Sequence, residues 1–261
     1  MATDKMEVDE GPTESMAQVA KPAVSKFSED LLRLYYEYLF PYEQMFQWLS
    51  YGNDPEQAEN SPAIVSDYFF RREFSFTIAN DIYIRYLSFR DKAEMMKEIK
   101  KKQPHKIDIG AVYSAPAREH NAVKNFIPLE RELVFDLDLT DYVDMLPKYS
   151  EASIWSHGTW KLMSTAVKVM DSILRNDFGY KNILWVFSGR RGVHCWVCDP
   201  GARHLEDRER KAIVDFLTLI VGNENSNERT PLSWPIHPTI ERIMPLLEDT
   251  FHSLMLSEDG Q

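Results

Sequence analysis

The sequence predicts an α+β (mixed α/β) fold, and three observations carry that prediction. Helical patterns occupy both ends of the chain, with strand-like segments between them interrupted by further helices. Residues 73–78 and 81–86 alternate polar and apolar across Asn80-Asp81, as the arms of a hairpin do. A second pair, Ile183–Ser188 and Val193–Asp199, flanks Gly189-Arg-Arg-Gly192.

Taken in order, residues 1–26 are acidic and polar, contain Gly11, Pro12 and Pro22, show no periodicity, and read as a disordered tail. Ser28 is placed to N-cap a helix with Glu29 and Asp30 in its first turn, and Leu31, Leu34, Tyr35 and Tyr38 extend its apolar spacing to about Leu39. Pro41 opens a shorter helix carrying Tyr42, Met45, Phe46 and Leu49, and a polar loop runs from Tyr51 through Pro62. After the first hairpin, a lysine-rich helix spans about Arg90–Lys102 with Met95, Met96 and Ile99 as its apolar stripe. Ile107–Tyr113 and Leu133–Leu139 read as strands. Trp160–Asp177 is the clearest helix, with Leu162, Ala166, Val169 and Ile173 on one face and Gly179 just past its end. Glu206–Val221 is helical up to Gly222, and a last helix starts near Pro238 with Ile240, Ile243 and Leu247, kinked or split at Pro245.

The bulk numbers set bounds on function. A chain of 261 residues with 44% hydrophobic and 12% aromatic content is globular and can bury a core. Two cysteines give no disulfide framework and suit a reducing compartment. No basic region followed by an apolar stretch opens the chain, so no secretory leader is expected; no apolar run reaches the ~18 residues of a membrane span, and the expectation is a soluble intracellular protein with no membrane partner. A net charge of −11 argues against a simple nucleic-acid coat but leaves room for local grip on nucleic acid. Basic residues concentrate at Lys97–Lys102, which reads first as a solvated helix end, and at Arg190-Arg191.

Asp136 and Asp138 lie two apart in a strand, so their carboxylates share one side while Leu133, Phe135, Leu137 and Leu139 fill the other. Solvated acids at a strand end are the plain reading of such a pair. The chemical reading is a seat for one or two Mg²⁺ ions, which take oxygen ligands and share coordination with phosphates.

Ser188-Gly-Arg-Arg-Gly-Val-His194 adds the complementary half. Glycines at 189 and 192 allow close backbone approach, Arg190 and Arg191 match phosphate oxygens, and His194 leaves the turn on the same face as Trp196. Alone, the motif also reads as an exposed hairpin tip. Paired with two carboxylates, it describes a metal-bound triphosphate and the chemistry of nucleotidyl transfer.

Arg72-Glu-Phe-Ser-Phe, Asp81-Ile-Tyr-Ile-Arg-Tyr, Lys106-Ile-Asp-Ile-Gly-Ala-Val-Tyr, Glu132-Leu-Val-Phe-Asp-Leu-Asp-Leu-Thr-Asp-Tyr and Ser188–Asp199 resemble the eukaryotic DNA primase small, catalytic subunit, in one register from about Phe27 to Leu256. The resemblance implies the primase catalytic fold, a mixed and largely antiparallel sheet flanked by helices, over 27–261. It also implies DNA-directed synthesis of RNA primers from ribonucleoside triphosphates on a single-stranded DNA template, with Mg²⁺ or Mn²⁺. Partners would be the primase large subunit and the DNA polymerase alpha complex, in the nucleus. Asp136 and Asp138 match the metal-binding catalytic pair and Glu73 an active-site position. Arg85, Asp108, Ser188, Gly189, Arg190, Arg191, Gly192 and His194 match nucleotide-binding positions. Glu73 also reads as a salt-bridge partner of Arg71 or Arg72, and Arg85 and Asp108 as partners of each other.

Two departures from the family pattern stand out. The stretch Asp144–Trp160 lacks the cysteines that bind the family's structural zinc, and His157 alone cannot build a four-ligand site, so zinc is not expected; Trp155 and Trp160 would pack in its place. The family's third metal-binding aspartate lies downstream of the last helix, so the C-terminal part of the fold is expected to be missing. Asp199, Asp207, Asp215 and Asp249 have no matching strand context. A truncated or non-catalytic subunit that only docks the large subunit is therefore the alternative. Cys195 and Cys198 read as core residues on opposite sides, and His105, His120, His204, His237 and His252 show no ligand spacing.

Overall fold

A computed structural model describes residues 27–53, 65–140, 157–189, 191–218 and 234–255; the expected tail at 1–26, most of the 51–62 loop, Trp155 and Arg190 lie outside them. The chain divides into two compact units, Met1–Phe40 and Pro41–Gln261.

In the first unit, α1 spans Glu29–Leu34, and the Ser28 hydroxyl accepts from the Leu31 N–H at 3.2 Å as its cap. The α-helical hydrogen bonding does not continue to Leu39. Residues Tyr35–Leu39 form a π-helical turn closed by Phe40 N–H donating to the Tyr35 carbonyl at 2.9 Å. The wider turn gathers Tyr35, Tyr36 and Phe40, with centroids 5.3–5.9 Å apart. The change of period shifts the buried position to Tyr36, and the expected stripe of Leu31, Leu34, Tyr35 and Tyr38 is exposed.

The second unit opens with α2, Tyr42–Ser50, which buries Phe46 and Leu49 and ends at Tyr51 in the left-handed region. A four-stranded antiparallel sheet follows in the order β2-β1-β3-β4: β1 Arg72–Ile78, β2 Ile82–Leu87, β3 Lys106–Tyr113 and β4 Pro128–Glu130. The β1–β2 turn is the expected one, with positive φ at Asn80 and Asp81. Strand β1 lies inside the sheet and is buried on both faces, Phe74 and Phe76 among Phe69 and Phe89 on one side, Glu73 and Ser75 on the other.

Both neighbours of β1 carry an extra residue beside this polar pair. Arg85 and Tyr86 on β2 oppose Ser75 alone, with Tyr86 at φ 59°, and Gly110 and Ala111 on β3 oppose Glu73 alone. Such bulges bend a strand and re-aim its side chains. Between β2 and β3 runs α3, Lys92–Lys102, capped by the Asp91 carboxylate, which accepts from Glu94 N–H at 2.7 Å. Met95 and Ile99 are buried as expected, whereas Met96 is on the exposed flank.

A three-stranded antiparallel sheet, β5-β7-β6, comprises β5 Leu133–Asp138, β6 Ile183–Phe187 and β7 Gly192–Val197. Leu133, Phe135, Leu137 and Leu139 face its core side together with Val193, Cys195 and Val197. That side packs on α4, His157–Asn176, through Met163, Val167, Met170 and Leu174. The sheet-facing stripe is thus rotated by one residue from the expected Leu162, Ala166, Val169 and Ile173, because the neighbouring face of α4 packs against the last helix, Pro238–Met255, where Thr165 and Thr250 hydroxyls meet at 2.5 Å.

A short α5, Pro200–Arg203, was not legible as a helix; α6 spans Asp207–Leu217 and stops four residues before the expected Val221, at a non-helical Thr218. Helix α7, Pro238–Met255, runs through Pro245 without splitting. Ile240 and Ile243 are buried, but Leu247 is exposed. Asp177, just past α4, accepts from Thr239 Oγ1 at 3.0 Å and from Arg242, tying the two helices together. Among the described residues, no helix is long and apolar enough to cross a membrane.

Candidate active site

Strands β5 and β7 place the carboxylate pair and the glycine-arginine hairpin side by side. Asp136 pairs with His194 and Asp138 with Gly192 along the ladder, and Leu139 N–H donates to the Arg191 carbonyl at 2.9 Å. On the face away from α4, Asp136 Oδ1 lies 3.4 Å from His194 Nε2, with the Asp136 side chain 70% exposed. Asp138 is organised locally: its Oδ1 accepts from both Thr140 N–H at 2.9 Å and Thr140 Oγ1 at 2.8 Å.

The hairpin is shaped to lie against β5. Gly189 has φ +84°, and Ser188 Oγ accepts from Gly192 N–H at 3.0 Å, closing the turn. A methyl group at Gly192 would sit 2.9 Å from the Leu137 carbonyl oxygen and 3.5 Å from Asp136 Oδ1. Only glycine fits where the turn crosses the acidic strand. Ser188, Gly189, Arg191, Gly192 and His194 are all described here; Arg190 is outside the described residues.

Glu73, Arg85 and Asp108 form a second group, on the four-stranded sheet, lining a cavity of ≈ 610 Å³ together with Tyr83, Tyr113 and residues of α5 and α6. Glu73 is buried and accepts from Arg85 Nη2 and Tyr113 Oη, each at 3.2 Å. Its ion-pair partner is therefore Arg85, not Arg71 or Arg72: Arg71 pairs with Asp67, and Arg72 turns to the opposite side of the strand to pair with Glu132. Arg85 accordingly meets Glu73 and not Asp108. The nearby Glu73 charge raises the Arg85 pKa further, so the guanidinium stays charged while half of it faces the cavity. Gly110 makes this seat possible, since a Cβ there would fall 2.9 Å from Glu73 Cβ.

The two sheets meet at Arg72 and Glu132. Arg72 Nη1 and Nη2 donate to the two oxygens of Glu132 at 3.0 and 2.9 Å, and Tyr51 Oη donates to Glu132 Oε1 at 2.6 Å. Burial pushes the Glu132 carboxyl up, but the Arg72 charge and these hydrogen bonds outweigh it and hold the group below its ordinary range. Glu130 behaves likewise: burial raises it, and hydrogen bonds from Arg203 and Tyr68 bring it below its ordinary value.

A family model described as DNA primase small subunit matches residues 135–253, a span that takes in Asp136, Asp138 and the whole Ser188–His194 hairpin. The DNA primase small subunit of Schizosaccharomyces pombe is 40% identical over 235 residues, 88% of this chain and 49% of that protein. The chain belongs to the DNA primase small-subunit family. The Drosophila melanogaster member is 40% identical over 236 residues, 89% of this chain and 51% of its own length. The archaeal small subunit PriS of Archaeoglobus fulgidus is 30% identical over 156 residues, 58% of this chain and 44% of its own. The chain spans about half the length of the curated relatives it matches.

Several residues that shape the site escaped the sequence reading. Thr140, Gly110, Tyr113 and the Arg72–Glu132 pair all sit inside the motifs quoted for the family, but nothing in their spacing marks which side chain each would meet. The cysteines match expectation: Cys195 lies in the core, its thiol pushed up to about 12 chiefly by burial, and Cys198 lies on the other side, where its sulfur accepts from Trp48 Nε1 at 3.3 Å. Among the described residues, no three His, Cys, Asp or Glu side chains converge. Of the downstream aspartates, Asp199 is engaged by the Lys181 and Asn182 backbone N–H groups and Asp215 by Lys211.

Proposed function

We propose that this chain carries the nucleotidyl-transfer site of a DNA primase and that the reaction is DNA-templated synthesis of an RNA primer from ribonucleoside triphosphates. The observation that carries this reading is the ladder pairing Asp136 with His194 and Asp138 with Gly192, which sets hard carboxylate oxygens against a glycine-rich turn flanked by arginine. Residues 27–261 would then belong to the catalytic domain.

The donor set suits a hard divalent cation, Mg²⁺ or Mn²⁺: two carboxylates share a strand face, Asp136 is largely open to solvent, and such ions keep water and phosphate among their ligands. Asp136 and Asp138 would hold it, and when bound it neutralises charge that develops on the triphosphate during transfer. The protein's own groups do the rest. Ser188, Gly189, Arg190, Arg191, Gly192 and His194 hold the triphosphate, the arginines through paired N–H donors. The attacking hydroxyl gives up its proton to water, its oxygen forms a bond to the α-phosphorus, and the bond from that phosphorus to the α–β bridging oxygen breaks, its electron pair leaving on pyrophosphate. Glu73, clamped by Tyr113, aims the Arg85 guanidinium into the adjoining cavity, where Asp108 opens beside it.

The family assignment supports a nuclear replication role beside a primase large subunit and the polymerase alpha complex, with single-stranded DNA as template. The test is de novo synthesis: the full-length protein with its large subunit is given an oligo-pyrimidine template, ATP and Mg²⁺ or Mn²⁺ but no primer. Template-dependent oligoribonucleotides are expected. Product that forms equally without template would point to another class of nucleotidyltransferase, and no product to a docking subunit.

A further inference from the structure

We propose that the Arg72–Glu132 pair is a positioning device that sets the Glu73–Arg85–Asp108 group relative to Asp136 and Asp138, given that both groups serve one nucleotide as proposed above. Strand ladders fix geometry within each sheet, but among the described residues no ladder joins the four-stranded sheet to the three-stranded one. Arg72 immediately precedes Glu73 on β1, and Glu132 stands four residues before Asp136, at the entry to β5. A bond between these two side chains therefore transmits one strand's placement to the other.

The contact is built for orientation. It is a two-point fork, Nη1 to Oε2 at 3.0 Å and Nη2 to Oε1 at 2.9 Å, which fixes angle as well as distance. Both side chains are shut off from water, at 0% and 1% exposure. A third arm runs from Arg72 Nη1 to the Gly110 carbonyl at 3.0 Å, in the bulge that seats Glu73. On the β5 side, Tyr51 Oη holds Glu132 Oε1, and Arg210 donates to the Glu132 and Arg131 carbonyls at 3.0 and 2.6 Å.

One detail separates positioning from plain stabilisation. Arg72 Nε is buried and finds no hydrogen-bond partner among the described residues, so the guanidinium is oriented for Glu132 and Gly110 at the expense of its own satisfaction. Buried ion pairs are moreover poor stabilisers compared with well-packed apolar residues of similar volume. What the fork supplies and an apolar contact lacks is a fixed angle.

The test uses the double variant R72M/E132L, which keeps the volume and removes the fork, alongside R72K, which keeps the charge and removes the second donor. Assays use the full-length protein with its large subunit, on the template described above. We expect the double variant to fold with a lowered melting temperature, because the Tyr51 hydroxyl and the Gly110 carbonyl lose their partners, and to bind Mn²⁺ with unchanged affinity, because Asp136 and Asp138 are untouched. Its kcat should fall by up to about 100-fold, the cost of a misplacement of roughly 1 Å. R72K should lose kcat to a similar degree.

Wild-type kcat in the folded double variant would overturn the inference; if that variant does not fold, wild-type kcat in folded R72K does so. A D138N control that keeps full activity would instead overturn the assignment of the site itself.

Discussion

Under the proposed function, Asp138 is a cation ligand whose orientation is set by its own neighbour. Both donors of Thr140 converge on Oδ1, at 2.9 and 2.8 Å, so the half-buried carboxylate is held in one orientation at the end of β5. Groups that orient a metal ligand are worth about 10- to 100-fold in metal affinity or activity. T140V, which keeps the branched shape and loses the hydroxyl, should weaken Mn²⁺ binding by roughly that range, and T140S should restore it; titration followed by Mn²⁺ electron paramagnetic resonance reads both. Equal affinity in T140V and wild type would show that the hydroxyl does not orient the ligand. The carboxylate pair itself was legible because period-2 spacing alone puts Asp136 and Asp138 on one face. Thr140 was not, because a residue two beyond a strand end has no fixed direction until the backbone turns.

The two hairpins were legible for different reasons, and their limits differ too. Asn80-Asp81 and Gly189–Gly192 both carry residues that tolerate positive φ, and the structure uses them so. The paired bulges beside Glu73 and Ser75 left no comparable mark, since an extra residue in a strand shows only against its partner's register. G110A tests the bulge on β3: the added methyl would meet Glu73 Cβ at 2.9 Å, and backbone on both sides limits relief. A destabilisation of about 1–3 kcal/mol is expected in urea unfolding, with a larger loss of synthesis than the stability change explains. A neutral G110A would mean that Glu73 has room to move. Among the helices, the rotated stripe of α4 has a packing cause. Apolar residues on α4 serve two neighbours, the sheet and α7, and periodicity cannot tell which face meets which.

Among the described residues, several partly buried acids have lowered carboxyl pKa values and tie neighbouring elements together. Glu132 and Glu130 join strands to β1 and α5 surroundings. Asp171 accepts from Arg175 and Trp185, where burial raises its carboxyl and those hydrogen bonds lower it further than burial lifts it. Asp177 is lowered first by its hydrogen bond from Arg242. Each has a folded-state pKa below its ordinary value of 4.5 for glutamate or 3.8 for aspartate, so the unfolded chain takes up protons first as pH drops. Their stabilisation is complete above those ordinary values and is lost as pH falls through the lowered folded ones. The melting temperature should therefore be flat down to about pH 5 and decline steadily below about pH 4. A flat profile to about pH 3 would show that these pairs contribute nothing.

In the proposed function, Asp136 and Asp138, set against the hairpin on β6–β7, carry the reaction. D138N keeps the shape of the side chain and the acceptor for Thr140 while removing the negative charge. In the full-length protein with its large subunit, primer synthesis on an oligo-pyrimidine template should disappear in D138N, with the melting temperature retained and Mn²⁺ binding lost. Synthesis at the wild-type rate by a folded D138N protein would contradict the account.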